Sequence, residues 1–402
     1  MTVRVPHRVV IAPSGFKESL DAEQVADAIA AGVRRALPGA VVFTAPVVDG
    51  GEGSARTLAS ATGGRVVERR VTGPVGEPVE SHFAMLGRTP VATALVEMAA
   101  AAGLRHVPVD RRDPTRTTTY GVGELILAAL DEGARRIVVG CGDSGTSDGG
   151  AGALVALGAR VLDRDGRPID TPGGAALADA ASLDLSGLDP RLAEVEMVVG
   201  CNLTNVLCGP RGVARVFGPQ KGATEQQVEQ LSDALDTWAG VLEAAASERG
   251  VGGLDVRHGA GTGASGGLGA ALAVGCGAEL RSRFEVFLHD DLGAPEIDAA
   301  IAQADLVITA EGAVDYQTPR GKVPAEVARR AKLHGKPVMA LAGSIGTGAA
   351  DVHDIGIDAV VGIIPIPMEL AQAVEQASDL VAQATERALR LVVLGAVISS
   401  AA

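Results

Sequence analysis

The chain has 402 residues, 53 of them glycine, is 47% hydrophobic and 2% aromatic, and carries a formal net charge of −14. This length predicts two or three domains, with cores built from Ala, Val, Leu and Ile, and so much glycine fits an α/β protein with many tight strand-to-helix turns. The acidic balance excludes a general nucleic-acid binder, which needs a basic face, and every apolar stretch is interrupted before it could span a bilayer. Cys141, Cys201, Cys208 and Cys276 form no CxxC pair. They predict reduced thiols and, with no signal peptide to be read, a cytoplasmic protein, monomeric or homodimeric.

In chain order, Arg8–Ala12 reads as a strand, Asp21–Leu37 as an amphipathic helix capped by Asp21, Val41–Val47 as a strand and residues 52–61 as a helix. The texture changes at residues 69–79, where prolines and alternating valines predict short antiparallel strands and a second domain from residue 72. There follow a helix over Thr119–Glu132, a strand over Arg136–Val139, a helix over 151–158 and a strand over Glu196–Gly200. A long helix over Thr224–Arg249 has Thr224 as its N-cap and carries the sole tryptophan, Trp238, an interface or core anchor. Strands at Leu306–Thr309, Pro337–Ala342 and Ala359–Ile364 alternate with helices to the end of the chain. The expected organisation is therefore a doubly wound domain from residues 1–71 and 290–402, with 72–289 as an inserted α/β domain.

Three glycine-bracketed acidic segments follow apolar runs: Asp49-Gly-Gly-Glu52-Gly, Asp143-Ser144-Gly-Thr-Ser-Asp148-Gly-Gly, and Glu311-Gly-Ala-Val-Asp315. Acids at strand ends sit where α/β sheets bind ligands, and carboxylates beside glycine-freed amides suit a magnesium–phosphate ligand. Isolated Asp-Gly pairs are also ordinary turns. Lys17, Lys221 and Lys322 lie in Gly/Pro-framed loops, Lys221 just ahead of a helix start where an anion is favoured. Gly261–Gly266 matches GxGxxG but follows no convincing strand, so it argues little for NAD; its continuation through Gly266 and Gly267 opens a helix fit for an anion. No GxxxxGK[ST] occurs, no GxSxG elbow comes with a plausible Ser-His-Asp triad, and the histidines lack metal-ligand spacing. Acids, lysines and glycine loops together suit phosphoryl transfer.

Ile11-Ala12-Pro13…Phe16-Lys17, Asp49–Gly53, Val71-Thr72-Gly73-Pro74, Thr117–Gly121, Phe217-Gly-Pro-Gln-Lys221-Gly-Ala223, Gly266–Gly269 and Glu311…Asp315-x-Gln317-Thr318…Lys322 resemble, in collinear order, the bacterial type I glycerate kinases (glycerate 2-kinases). The resemblance implies a Rossmann-like domain from both chain ends, an inserted flavodoxin-like domain, and an active site in the cleft between them. It further implies transfer of the ATP γ-phosphate, with Mg²⁺, to a hydroxyl of glycerate, giving 2-phosphoglycerate. Lys17, Asp49, Asp148 and Lys221 would be catalytic, and Asp148 with Asp143 would hold the metal. Ser14, Gly15, Glu52, Asp143, Ser144, Asn202, Asn205, Gly266, Gly267, Glu311, Asp315, Gln317 and Lys322 would bind substrate or nucleotide.

The chain departs from the family pattern at four places. An acid is missing at Ser14, one is gained at Asp143, Asn202 replaces the usual Asp, and Ala313 replaces an arginine that would clamp a carboxylate or phosphate. These changes open two alternatives: a kinase of a different small hydroxy acid or polyol, or a non-catalytic anion sensor with a degenerate site.

Overall fold

The protein is described by a computed structural model over residues 5–16, 19–169, 173–289, 292 and 297–401. Its strands are β1 (Arg8–Ile11), β2 (Val41–Thr44), β3 (Arg65–Thr72), β4 (Pro78–Met85), β5 (Thr93–Glu97), β6 (Arg136–Gly140) and β7 (Arg160–Leu162). They continue with β8 (Ser182–Asp184), β9 (Glu196–Cys201), β10 (Glu279–Ser282), β11 (Leu306–Val314), β12 (Val338–Ile345) and β13 (Ala359–Gly362). The chain divides into two compact units, Met1–Val48 with Pro295–Ala402, and Asp49–Ala294.

The unit built from both chain ends holds a five-stranded sheet in the order β13-β12-β11-β1-β2, parallel throughout. Numbered within the unit this is 2-1-3-4-5, the flavodoxin order, where the resemblance implied a Rossmann-like domain. Chain direction across the sheet reverses between β1 and β11, so the loops after these strands flank a topological switch point. Helix Ala22–Ala36 packs here because it buries Val25, Ala26, Ile29 and Val33 on one face. Asp21 begins it with a reciprocal capping box to Gln24. Val9, Ile11, Ile308 and Leu341 complete an aliphatic core with Leu380, Val381 and Leu389 of helix Ala377–Ala401.

The continuous unit has a mixed six-stranded sheet, β10-β9-β6-β5-β4-β3. β5, β6, β9 and β10 run parallel, whereas β4 pairs antiparallel with β5 and with β3. The eight-residue register of β3 on β4, from Arg65↔Met85 to Thr72↔Pro78, assigns β3 to this unit. The first boundary therefore falls at 48/49 rather than 71/72, because β3, which precedes the prolines, and helix Ser54–Thr62 both pack against β4. Helix Glu225–Glu248 starts at Thr224 with the expected capping box and buries Leu231, Leu235, Trp238 and Leu242. Among the described residues no helix is long and apolar enough to cross a membrane.

Candidate active site

In the end-built unit, Ser14 leaves β1 against β11: its amide and its hydroxyl both donate to the Ala310 carbonyl at 3.0 Å. Gly15 follows; Lys17 lies outside the described residues. β11 is longer than its sequence suggested. Its pairing with β1 stops at Ile308, but its pairing with β12 runs on through Ala313↔Ser344 and Val314↔Ile345. The two strands thus project as a parallel ribbon, and Glu311 lies within β11 instead of after it. Gly312 and Ala313 read as a turn in sequence, yet the pairing continues past them, and a Cβ on the facing Gly343 would lie 2.5 Å from the Gly312 carbonyl oxygen.

The ribbon carries an ionic cluster. Lys322 Nζ lies 3.0 Å from Glu311 Oε1 and 3.6 Å from Asp315 Oδ1. Thr318 donates its hydroxyl to Glu311 Oε2 (3.2 Å) and accepts from the Asp315 amide (3.1 Å), and Gln317 donates its amide to Asp315 Oδ1 (2.8 Å). Burial pushes the Glu311 carboxyl above its usual range, with Lys322 pulling the other way. Four expected residues, Glu311, Asp315, Gln317 and Lys322, therefore converge.

In the continuous unit, a second set gathers at the C-terminal edge of β5, β6, β9 and β10. Asp49 Oδ2 accepts from Arg283 Nη1 at 2.7 Å, while its Oδ1 accepts from the Gly51 amide at 3.0 Å. Glu52 is ion-paired with Arg105, and its amide donates to Asp143 Oδ2 at 3.2 Å. Asp143 has φ +52°, a left-handed conformation unusual outside glycine and frequent where function imposes it. A Cβ on Gly51 would lie 2.7 Å from Asp143 Oδ2 and 3.0 Å from Asp49 Oδ1, so glycine is what admits the two acids here. Ser144 bridges to Gly103. Asn202 Oδ1 accepts from the amide and hydroxyl of Thr204, forming the turn that ends at Asn205.

Beneath this edge the structure corrects several expectations. Asp148 is fully buried, and its carboxylate accepts from the Thr119 amide (2.7 Å), the Thr119 hydroxyl (2.8 Å) and the Gly150 and Gly152 amides (3.2 Å each). Burial raises its pKa against these bonds. Oxygens so enclosed and so fully hydrogen-bonded do not suit a solvent-derived metal; Asp148 ties the acidic loop to the helix starting at Tyr120. Lys221 is 2% exposed and donates to the Thr146 carbonyl. Desolvation lowers its pKa to about 8, with Asp148 opposing. It is an internal strut where sequence suggested a surface anion site. Gly266 and Gly267 are likewise filled by protein: Cβ atoms there would meet Thr146 O at 2.2 Å and Gly149 Cα at 2.6 Å. The GxGxxG run thus packs against the acidic loop and leaves no cradle for a dinucleotide. Trp238 closes the underside, fully buried, donating its indole N–H to Gly149 O at 2.9 Å.

Sequence reasoning passed over Arg105, Arg283 and Tyr316. Arg283 follows β10, a four-residue strand whose Glu-Leu-Arg-Ser alternation was the available signal.

A mixed α/β chain with clusters of paired charges at its strand ends is the class this geometry defines. A family model described as the glycerate kinase family matches residues 9–393, and the chain belongs to that family. It is 46% identical over 372 residues to the glycerate kinase of Bacillus subtilis, covering 92% of this chain and 94% of that protein. It is 42% identical over 388 residues to the glycerate 2-kinase of Escherichia coli, covering 96% and 98%. The crystal structure of a putative glycerate kinase 2 from Salmonella typhimurium superposes with a TM-score of 0.75 at 43% identity, covering 96% of this chain and 98% of that one.

Proposed function

We propose that this protein is an ATP-dependent glycerate kinase acting in the cytoplasm, transferring the γ-phosphoryl group to a glycerate hydroxyl and giving 2-phosphoglycerate. The observation that carries the reading is near-full-length similarity, at 42–46% identity, to relatives named for that activity. Phosphoryl transfer through a loose transition state asks the protein mainly for positioning and charge stabilisation. Arg283 and Arg105, each already bound to a carboxylate, suit the acceptor's carboxylate, which a guanidinium can grip in two places. Asp49 is the base for a hydroxyl proton that leaves late in such a transition state. Asp148 and Lys221 act indirectly, by holding the loop that presents Asp143 and Ser144.

Magnesium, when bound, neutralises the phosphate charge that develops in transfer. Among the described residues no group of three or more His, Cys, Asp or Glu side chains could hold a metal ion. Mg²⁺ is usually carried chiefly by a nucleotide's phosphates with one or two protein carboxylates. Asp143 or Glu311 is suited to lend such a carboxylate.

The departures at Ser14, Asp143, Asn202 and Ala313 do not favour another acceptor or a sensor. Ser14 donates its hydroxyl to the Ala310 carbonyl, Asn202 accepts from Thr204, and Lys322 Nζ lies 3.4 Å from the Ala313 carbonyl, so a cation still stands beside the position that lacks the arginine. The test is an ATP-dependent phosphorylation panel over D-glycerate and related hydroxy acids, with the phosphate position assigned by ³¹P NMR. The expected result is 2-phosphoglycerate from D-glycerate. Preferred turnover of a different hydroxy acid would reinstate the other-acceptor reading, and ATP binding without ADP release would reinstate the sensor.

A further inference from the structure

We propose that Tyr316, with Ile345 and Ile364, forms the shelf on which the nucleotide's purine base stacks; this rests on the kinase reading above. Only 2% of this chain is aromatic and it has two tyrosines, yet Tyr316 stands 49% exposed at the tip of the β11–β12 ribbon. Neighbours, not burial, orient its ring. Gln317 Nε2 donates to the phenol oxygen at 3.1 Å, and the Arg320 guanidinium lies over the ring, 5.5 Å from its centroid. The Tyr316 amide donates to Thr347 O at 3.0 Å, fixing the backbone against the loop that follows β12.

Apolar surface continues along the same edge. Ile345, paired with Val314 at the end of β12, is 54% exposed, and Ile364, just past β13, is 37% exposed. A Cβ on Gly362 would lie 3.6 Å from Ile345 Cδ1, so β13 ends directly beside this side chain. Three adjacent parallel strands thus present exposed apolar groups at their C-terminal ends, the edge at which such sheets take ligands. Exposed apolar groups at such an edge suit the apolar face of a ligand.

The occupant follows from the chemistry of the two substrates. Glycerate offers a carboxylate and two hydroxyls and gains nothing from isoleucine. A purine has a broad apolar face, stacks on tyrosine and on a guanidinium plane, and carries its charge at the far end of the ribose. The Glu311–Asp315–Lys322 cluster next to the ring supplies both signs of charge for the polar remainder of such a ligand.

The experiment compares wild type, Tyr316→Ala and Tyr316→Phe by steady-state kinetics and by calorimetric titration with ATP and with inorganic tripolyphosphate, which lacks a base. Tyr316→Ala is expected to raise the KM for ATP about tenfold, from the usual strength of base–aromatic stacking, with the glycerate KM unchanged. Its ATP affinity should fall equally while its tripolyphosphate affinity holds, and Tyr316→Phe should rescue. Ile345→Ser gives an independent reading in the same direction should Tyr316→Ala fold poorly. An ATP KM within about twofold of wild type in both truncated variants overturns the shelf. So does an equal loss of tripolyphosphate binding, and so does a change confined to sedimentation, which would make the patch a contact with a second copy. Failure of wild type to phosphorylate glycerate would instead sink the kinase reading itself.

Discussion

Lys221 shows how burial changes what a residue type can do. A lysine in a glycine-framed loop ahead of a helix reads as a surface anion contact, but this one is 2% exposed beside Asp148. Its ordinary value of 10.5 drops to about 8, chiefly through desolvation. The sign of the linkage follows. Between pH 8 and 10.5 the unfolded chain holds this proton and the folded chain releases it, so the group's contribution to stability rises with pH across that window and is flat below it. Wild type should therefore gain stability relative to Lys221→Met as pH rises from 8 to 10, by at most about 1.4 kcal/mol per pH unit. Urea titrations of both proteins at pH 7, 8, 9 and 10 check this. A constant difference throughout would mean that the ammonium keeps its ordinary affinity for the proton and is solvated.

The elements that came through from sequence are those with local signals. Asp21 and Thr224 announce their helices by capping boxes, and both helices begin where expected. β1, β6 and β9 are short apolar runs, and β6 and β9 carry a glycine at or next to their ends. Less legible was whatever pairing partners decide. β11 runs to Val314 because β12 accompanies it, and β3 belongs to the continuous unit because β4 lies against it. The same holds for the site: Asp49, Glu52 and Asp143 were visible as glycine-bracketed acids, whereas Arg105 and Arg283 reach them from 53 and 234 residues away. Gly51 can be read at both levels. In sequence it is a turn residue; in the fold it is the gap between two carboxylates. Gly51→Ala should cost about 1–3 kcal/mol through overpacking and, by displacing Asp49 and Asp143, lower kcat at least about tenfold. Thermal melts paired with glycerate turnover measure both effects. A variant that loses stability alone would show that the acid pair serves the fold and not the chemistry.

At the scale of the molecule, the two units differ in how the chain makes them. The end-built unit needs segments more than 240 residues apart, since β1 pairs with β2 on one side and β11 on the other. The Asp49–Ala294 unit is continuous. Its sheet is formed wholly within it, and its two apolar clusters draw only on residues between Val67 and Leu280. At 246 residues it is also at the usual upper size for a single hydrophobic core. A fragment spanning residues 49–294 should consequently fold alone. The sole tryptophan offers a clean probe, because Trp238 is fully buried in this unit, with its indole bound to Gly149 of the acidic loop. The excised fragment should show the blue-shifted emission of a buried indole. It should also lose that emission and its far-UV circular dichroism in one coincident thermal transition, the mark of cooperative unfolding. Solvent-exposed emission at low temperature, or two separated transitions, would show that the acidic loop and the helix beneath it need the flanking segments to fold.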